Sequence, residues 1–128
     1  MVSSDSLIAV VDDELPVRTM LGRVLRHADY RVATFASGEA FLDSLSTRVP
    51  GCAIVDVHMP GLSGFDVEFR LRATQLRIPL VFITASDDAA LDRSAAAAGA
   101  ICLLRKPFAS DDLLSAVRIA FAYQGSGT

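Results

Sequence analysis

Five polar side chains in this sequence stand at the ends of short apolar runs, where their chemistry could be combined. Asp12 and Asp13 follow the first run, Asp56 follows the third, Thr84 closes the fourth and Lys106 comes after the fifth. Because the carboxyl ends of parallel strands meet at one edge of a sheet, we expect these side chains to converge there. Three carboxylates at one rim repel each other unless a cation lies among them.

The residue types at this rim favour a divalent cation and phosphoryl chemistry. The three aspartates outweigh the charge of Lys106, and one divalent ion would neutralise the excess. Oxygen ligands favour a hard ion, and a site shared with phosphate favours Mg²⁺. A carboxylate such as Asp56 beside Mg²⁺ and Lys106 can act as a nucleophile toward a phosphoryl group, and the product is an acyl phosphate.

Taken singly, each of these residues has an ordinary structural explanation. An aspartate after a strand is often a helix cap, a threonine is often a strand residue, and Lys106 followed by Pro107 suits a turn. Their shared position at one sheet edge favours the functional interpretation. The loop after Asp56 adds Pro60, Gly61 and Gly64, which permit a close approach of the backbone to a ligand.

The elements that must hold these residues are strands alternating with helices. The predicted strands are Leu7 to Val11, Tyr30 to Phe35, Cys52 to Val55, Leu80 to Thr84 and Ala100 to Leu104. Five helices are predicted. The first has an apolar stripe from Val17 to Ala28 with Pro16 in its first turn, and the last runs from an N-cap at Ser110 to Phe121. The three between them are Ser37 to Leu45, Ser63 to Ala73, and an alanine-rich segment from Ala89 to Ala98. The alanine-rich helix should bury little and be loosely held.

This alternation predicts an α/β fold with a parallel sheet. Three of the runs are apolar on both faces, as buried parallel strands must be, whereas the second carries the charge of Arg31 and belongs at an edge. The strand order 2-1-3-4-5, the flavodoxin-like doubly wound (βα)5 arrangement, satisfies this. It places ligands beside the switch between strands 1 and 3.

Composition sets further limits. A chain of 128 residues suits one domain, and a hydrophobic share of 52% argues against a disordered chain. No uncharged run approaches the roughly 20 residues that span a bilayer, so no membrane partner is expected. Scattered basic residues and a net charge of −3 argue against direct nucleic-acid binding. Met1 to Ser6 lack the features of a signal peptide, which favours a cytoplasmic location.

We expect an N-terminal extension over residues 1–6, one domain over 7–123, and a flexible tail or the start of a linker over 124–128. Cys52 and Cys102 lie in apolar runs that are separated by the fourth strand. They suit buried, reduced thiols better than a disulfide or a metal site.

The motifs together resemble the receiver domain of bacterial two-component response regulators. They are Val11-Asp12-Asp13-Glu14, Asp56 with Met59-Pro60-Gly61 and Gly64, Thr84-Ala85, and Lys106-Pro107-Phe108. The resemblance extends from Leu7 to Phe121. It implies a phosphorylation switch in a phosphorelay, in which Asp56 takes a phosphoryl group from a sensor histidine kinase or a phosphotransfer protein. The chain would be a signalling protein whose only enzymatic steps are Mg²⁺-dependent self-phosphorylation and autodephosphorylation.

The resemblance also implies residue roles. Asp13 and Asp56 would bind Mg²⁺ directly with the backbone carbonyl of His58, while Asp12 would act through water. Thr84 would bond the phosphoryl oxygen as the switch residue, Lys106 would pair with it, and the peptide bond between Lys106 and Pro107 would be cis. The side chain of His58 would influence the lifetime of the phosphoryl group or simply face solvent.

One departure from the family pattern concerns signalling. Three residues before the lysine the family usually has Phe or Tyr, whose ring reports the state of the switch threonine, and here the residue is Leu103. The segment around Ile78 to Thr84 is most similar to receivers that precede LuxR-type helix-turn-helix domains. An output domain or effector protein is therefore an expected partner, and a homodimer through the face of helix 4 and strand 5 is a further expectation.

Two other functions compete with the switch. A Mg²⁺-dependent phosphatase of the haloacid-dehalogenase type also uses an aspartate after a strand, but it needs Asp-x-Asp where this chain has Asp56-Val57-His58. A degenerate receiver that serves only as a binding module would lack part of the acidic, threonine and lysine set, all of which is present here. Competence for phosphorylation distinguishes the switch from the degenerate receiver.

Overall fold

The computed structural model describes residues 7–126, with side chains described for residues 7–123. The strands are β1 (Leu7–Val11), β2 (Arg31–Phe35), β3 (Cys52–Asp56), β4 (Leu80–Thr84) and β5 (Cys102–Arg105). The helices are α1 (Leu15–His27), α2 (Gly38–Ser44), α3 (Gly64–Ala73), α4 (Ala90–Ala97) and α5 (Ser110–Ser126). The predicted extension over residues 1–6 and the last two residues, 127–128, lie outside the described residues.

The strands form one parallel sheet in the order β2-β1-β3-β4-β5, which confirms the predicted flavodoxin-like doubly wound fold. Every residue of β1, β3 and β4 is buried, as strands with helices on both sides must be. In β2, by contrast, Arg31 and Thr34 are exposed. The charge that predicts an edge strand therefore lies on the edge.

Each face of the sheet carries its own apolar cluster. On the α1/α5 face, Ile8, Val10, Ile54, Val81 and Ile83 pack with buried residues of the two helices, which are Leu21, Leu25, Leu113, Ala116, Val117 and Ala120. On the α2/α3/α4 face, Ala9, Val11, Val55 and Phe82 pack with Phe41, Val67, Leu71 and Ala95. Alternate strand residues point to opposite faces, and the sheet is thereby covered on both sides.

Several predicted element boundaries are shifted by one or two residues. The amide of Tyr30 donates to the carbonyl of Leu25 at the end of α1, so β2 begins at Arg31. The amide of Ala100 likewise donates to Ala95 at the end of α4, and β5 runs from Cys102 to Arg105 rather than from Ala100 to Leu104.

The last helix departs from the prediction at both ends. The carbonyl of Ala109 accepts from the amides of Asp112 and Leu113, so the helix begins at Ser110 instead of using it as the N-cap. At the other end α5 continues to Ser126, so the predicted tail over 124–128 begins inside the helix. The polar composition after Tyr123 points to a loop, but backbone bonding carries the helix onward.

Two smaller expectations concern the cysteines and the membrane. Cys52 is buried, Cys102 is half-buried, and both thiols are free, as predicted. Burial, together with the neighbouring Cys102, raises the pKa of Cys52 to about 12, which leaves the thiol protonated and unreactive. Among the helices within residues 7–126, none combines the length and the hydropathy that crossing a bilayer requires.

Candidate functional site

The three aspartates meet at the carboxyl edge of the sheet, as the sequence predicts. Asp12 follows β1 and is fully buried, Asp56 ends β3 and is 4% exposed, and Asp13 faces solvent. One carboxylate oxygen from each lies within 4.8 Å of the other two. The neighbouring strands β1 and β3 therefore bring together an acidic cluster that the chain separates by more than forty positions.

The ammonium of Lys106 lies against this cluster from the end of β5. Its Nζ is 3.0 Å from Oδ2 of Asp12, 3.4 Å from Oδ2 of Asp56 and 3.7 Å from Oε1 of Glu14. The backbone amide of Lys106 donates to the carbonyl of Thr84 at 2.8 Å, and the peptide bond to Pro107 is cis, as the resemblance implies. The single lysine of the chain is thus held where it can neutralise two buried carboxylates.

The charges at the site are strongly coupled. Burial and the negative charge of Asp12 raise the pKa of Asp56, and Lys106 only partly offsets this. Burial alone would lower the pKa of Lys106, but its hydrogen bond to Asp12 and the charges of Asp56 and Asp12 raise it overall. The ionised form of Asp56 is therefore disfavoured, and a further cation at the site would stabilise it.

The loop that carries Asp12 and Asp13 is fixed by backbone and side-chain bonds. The amide of Asp12 donates to the carbonyl of Phe35 at 3.1 Å, and the amide of Glu14 donates to Oδ1 of Asp12 at 2.9 Å. Arg18, at the end of the first turn of α1, donates through Nη1 to the carbonyl of Asp12 at 2.7 Å. Pro16 lies in the first turn of α1, as predicted.

The loop after β3 approaches Asp56 closely, and two glycines permit this. Gly61 has φ +76°, which disfavours other residues. A Cβ on Gly64 would lie 2.7 Å from the carbonyl oxygen of Asp56, so the start of α3 can pack there only without a side chain. The amide of His58 then donates to Oδ1 of Asp56 at 3.2 Å.

Thr84 joins the site through His58. Its hydroxyl is buried, accepts from the amide of Ser86 at 3.1 Å, and lies 3.3 Å from Nδ1 of His58. Leu103, the other predicted switch residue, lies opposite Phe82 in the register and packs half-buried against the α2/α3/α4 face. It therefore takes part in the apolar core and not in the polar site.

Three contacts at the site go beyond the sequence prediction. The carboxylate of Glu14 faces Lys106, the ring of His58 reaches Thr84, and the guanidinium of Arg105 binds the loop after Thr84. The last of these has a signal in the sequence. Arg105 alternates with Leu104 and so shares the face of Leu103 and α4, where Asp87, Asp88 and Asp92 offer negative charge.

The donor set suits a hard divalent cation. Asp12, Asp13 and Asp56 offer carboxylate oxygens only, and no His or Cys belongs to this cluster within the described part of the chain. Oxygen donors of this kind bind Mg²⁺ or Ca²⁺ rather than softer metals. The raised pKa of Asp56 agrees, since burial and the charge of Asp12 disfavour a negative charge there and Lys106 offsets this only in part.

The fold and the site together define a class of protein. A doubly wound parallel sheet presents an acidic cluster, a threonine and a lysine at the carboxyl ends of β1, β3, β4 and β5, beside the switch in strand order. The model of the response regulator receiver domain family matches residues 8–118. The chain belongs to this family.

Relatives of this chain carry the names of regulatory proteins. The response regulator protein TmoT of Ectopseudomonas mendocina is 39% identical over 120 residues, which are 94% of this chain and 54% of that protein. The transcriptional regulatory protein FixJ of Bradyrhizobium diazoefficiens is 36% identical over 113 residues, which are 88% of this chain and 55% of FixJ. The chain spans about half the length of these relatives.

Solved structures show the same fold. The structure described as response regulator StyR superposes with a TM-score of 0.87 at 38% identity, covering 94% of this chain and 61% of that one. The structure described as FixJ-N superposes with a TM-score of 0.87 at 30% identity, covering 94% of this chain and 97% of that one. These similarities support a signalling role.

Proposed function

We propose that this chain is a phosphorylation switch in which Asp56 accepts the phosphoryl group. The observation that carries the proposal is the position of the Asp56 carboxylate. It ends the central strand β3, lies within 4.8 Å of two further carboxylates, and has the ammonium of Lys106 at 3.4 Å. A nucleophile in this setting can attack a group whose negative oxygens are neutralised around it.

The transfer step follows from this geometry. One oxygen of the Asp56 carboxylate attacks phosphorus and forms a new O–P bond as the bond from phosphorus to the donor's leaving group breaks. The electron pair of the broken bond departs with the leaving group, an imidazole nitrogen when the donor is a phosphohistidine. Lys106 would pair with a phosphoryl oxygen, and the hydroxyl of Thr84 would donate to another.

The acidic cluster completes the proposed site. Asp13, Asp56 and the backbone carbonyl of His58 would hold Mg²⁺ directly, with Asp12 acting through water. When bound, Mg²⁺ supplies positive charge to the oxygens of the transferred group. Asp12 also orients Lys106 through the contact at 3.0 Å.

The proposed partners follow from the membership of the receiver family and from the names of the relatives. The phosphoryl donor would be a sensor histidine kinase or a phosphotransfer protein, and the receiver over residues 7–123 would act on an output domain or an effector protein in the cytoplasm. Relatives named as transcriptional regulators, such as FixJ and TdiR, make an output domain that controls transcription the natural proposal. A LuxR-type output and a homodimer through the face of α4 and β5 remain predictions.

The competing functions lack a supporting observation. The phosphatase alternative requires a second aspartate at the position of His58, whose ring instead contacts Thr84. The binding-module alternative would leave the Asp56, Thr84 and Lys106 arrangement without a role. Beyond self-phosphorylation and autodephosphorylation, we therefore propose no enzymatic activity.

Intact-mass spectrometry tests the proposal. Incubation with phosphoramidate and Mg²⁺ should add one phosphoryl group to the wild-type chain. Asp56→Asn should abolish the adduct, and Asp43→Asn, which removes an exposed carboxylate from α2, should leave it unchanged. Chelation of Mg²⁺ should suppress labelling of both the wild type and the control. Labelling of Asp56→Asn as complete as that of wild type would place the acceptor elsewhere and overturn the assignment.

A further inference from the structure

Arg105 occupies a position that the proposed phosphorylation chemistry leaves without a role. It is the last residue of β5 and lies opposite Thr84, the last residue of β4, in the sheet register. Because strand residues alternate, Leu104 joins the core of the α1/α5 face while Arg105 shares the side of Leu103 and α4. Its guanidinium is therefore directed toward the loop that joins β4 to α4.

The guanidinium makes a fork of contacts to that loop and to α4. Nε donates to the carbonyl of Ser86 at 3.1 Å, and Nη2 donates to the carbonyl of Asp88 at 2.8 Å. Nη1 and Nη2 reach Oδ1 and Oδ2 of Asp92 at 3.1 and 3.2 Å, which is a bidentate pair. One side chain thus fixes two loop carbonyls and the first turn of α4 simultaneously.

Further hydrogen bonds connect the contacts of Arg105 to Asp56, the proposed phosphoryl acceptor. The amide of Ser86, whose carbonyl Arg105 holds, donates to the hydroxyl of Thr84. That hydroxyl contacts the ring of His58, and the amide of His58 donates to the Asp56 carboxylate. Asp56 and α4 are therefore joined by hydrogen bonds through Thr84 and Arg105.

Apolar packing holds α4 only weakly, so the polar contacts matter more there. Of the residues in α4, all of which the structure describes, Ala95 alone is buried. Its N-cap is Ala89, which has no acceptor in its side chain, and the first turn is capped by Asp88 through the amide of Ala90 at 2.9 Å. The segment that Arg105 fixes is thus the one that links α4 to the site.

We propose that Arg105 is a positioning residue that couples the hydroxyl of Thr84 to α4, a role that the missing aromatic ring at Leu103 leaves open. The proposal rests on the phosphorylation of Asp56 and names how that event is transmitted. When the Thr84 hydroxyl donates a hydrogen bond to a phosphoryl oxygen, its contacts with the ring of His58 and the amide of Ser86 change. Arg105 ties the carbonyl of Ser86 to Asp92, and the displacement reaches α4.

The electrostatics of the fork agree with this role. The hydrogen bond from Arg105 lowers the pKa of Asp92, and the same bond raises the pKa of Arg105. Asp87 and Asp88 add negative charge around the guanidinium. A lysine would preserve the charge at this position but could not span two carbonyls and a carboxylate, since it lacks the planar fork.

Amide hydrogen exchange with and without beryllofluoride, a mimic of the phosphoryl group, tests the coupling. The variants are Arg105→Gln, Arg105→Lys and Asp92→Asn, at a half-buried arginine and an exposed aspartate. The matched control is Arg72→Gln, which removes a different arginine–carboxylate pair, between the exposed Arg72 and Glu68 one helical turn away in α3. Labelling of Asp56 by phosphoramidate, read by intact mass, is measured for every variant.

In the wild type, beryllofluoride should change the exchange of amides in residues 90–97. Arg105→Gln and Arg105→Lys should each reduce that change at least about threefold, Asp92→Asn should reduce it less, and Arg72→Gln should leave it intact. Labelling of Asp56 should remain within about twofold of wild type in all four variants, because none of these side chains touches the carboxylate.

The outcomes separate the two proposals. Absence of labelling on the wild type would overturn the phosphorylation switch itself. Normal labelling with a full response of α4 in Arg105→Gln, or a full response in Arg105→Lys, would overturn the role of the guanidinium fork alone. A wild type that is labelled but shows no response in residues 90–97 would also overturn it.

Discussion

The two helices that flank β5 are held in different ways. Helix α5 buries Leu113, Ala116, Val117 and Ala120 against the sheet, and the ring of Phe121 stacks on Tyr30 with centroids 5.6 Å apart. Helix α4 buries Ala95 and is tied to the end of β5 by the fork of Arg105. One helix is anchored by apolar area and the other by directional polar bonds.

This difference determines which helix can be displaced when the phosphoryl group binds at the site. Burial of apolar side chains is favourable in many similar arrangements and is lost only when the helix leaves the sheet. A fork of hydrogen bonds depends on the positions of a few atoms, and an exposed ion pair contributes little net stability. A small displacement at Thr84 can therefore move α4 at low cost while α5 stays in place.

Truncation of a buried side chain in each helix should show the largest contrast. We expect Leu113→Ala in α5 to lower the free energy of unfolding by about 2–5 kcal/mol, because it removes fully buried methyl groups and leaves a cavity. Ala95→Gly in α4 should cost only about 1 kcal/mol, mainly through the lost helix propensity. Urea denaturation monitored by circular dichroism measures both.

The exposed residue Ile119 offers a control within α5, since it is 58% exposed. Ile119→Ala should change the urea midpoint far less than Leu113→Ala does. Equal losses for Leu113→Ala and Ala95→Gly would show that the two helices are anchored alike, and the contrast between them would be wrong.

The amino-acid sequence predicts the sheet and the acidic cluster better than it predicts the contacts that link the site to α4. The strand order follows from apolar runs and the charge of Arg31, and the acidic cluster follows from the meeting of strand ends. The fork of Arg105 and the contact of His58 with Thr84 are set by the path of loops, and no periodicity fixes that path. The sequence also predicts too early an end for α5, since Gln124 and Gly125 have the composition of a loop but continue the helix.

Beryllofluoride should distinguish the two helices directly. We expect amide exchange in residues 90–97 to change by about tenfold on binding of the mimic, because local opening of a weakly packed helix is cheap. Amides of α5 around Val117 should change less than about twofold, because opening there exposes the core. Exchange measured by mass spectrometry of peptides reports both helices in one experiment. A response centred on Cys102–Arg105 with α4 unchanged would contradict this prediction.

The pH titration of Asp92 tests whether its ion pair with Arg105 forms. Its pKa is lowered in the folded chain, so its contribution to stability is present above the ordinary aspartate value of about 3.9 and is lost as the pH falls through the lower folded value. We expect the carboxyl carbon of Asp92 to titrate below that ordinary value by NMR. Arg105→Gln should return the midpoint toward it, whereas Arg72→Gln should leave it unmoved. A midpoint that is the same with and without Arg105 would show that the fork does not form in solution.

Leu103→Ala should have the smallest effect on the chemistry and separates apolar from polar contributions to α4. Leu103 is half-buried against the α2/α3/α4 face, so its truncation should lower the free energy of unfolding by about 2 kcal/mol, the lower end for such changes. It carries no polar group, and the site residues are held by the hydrogen bonds of Asp12, His58 and Lys106. Labelling of Asp56 by phosphoramidate should therefore stay within about twofold of wild type, and the response of residues 90–97 to beryllofluoride should persist. If Leu103→Ala abolished that response while Arg105→Gln preserved it, α4 would be coupled to the site by apolar contact, and the contrast drawn between the two helices would be reversed.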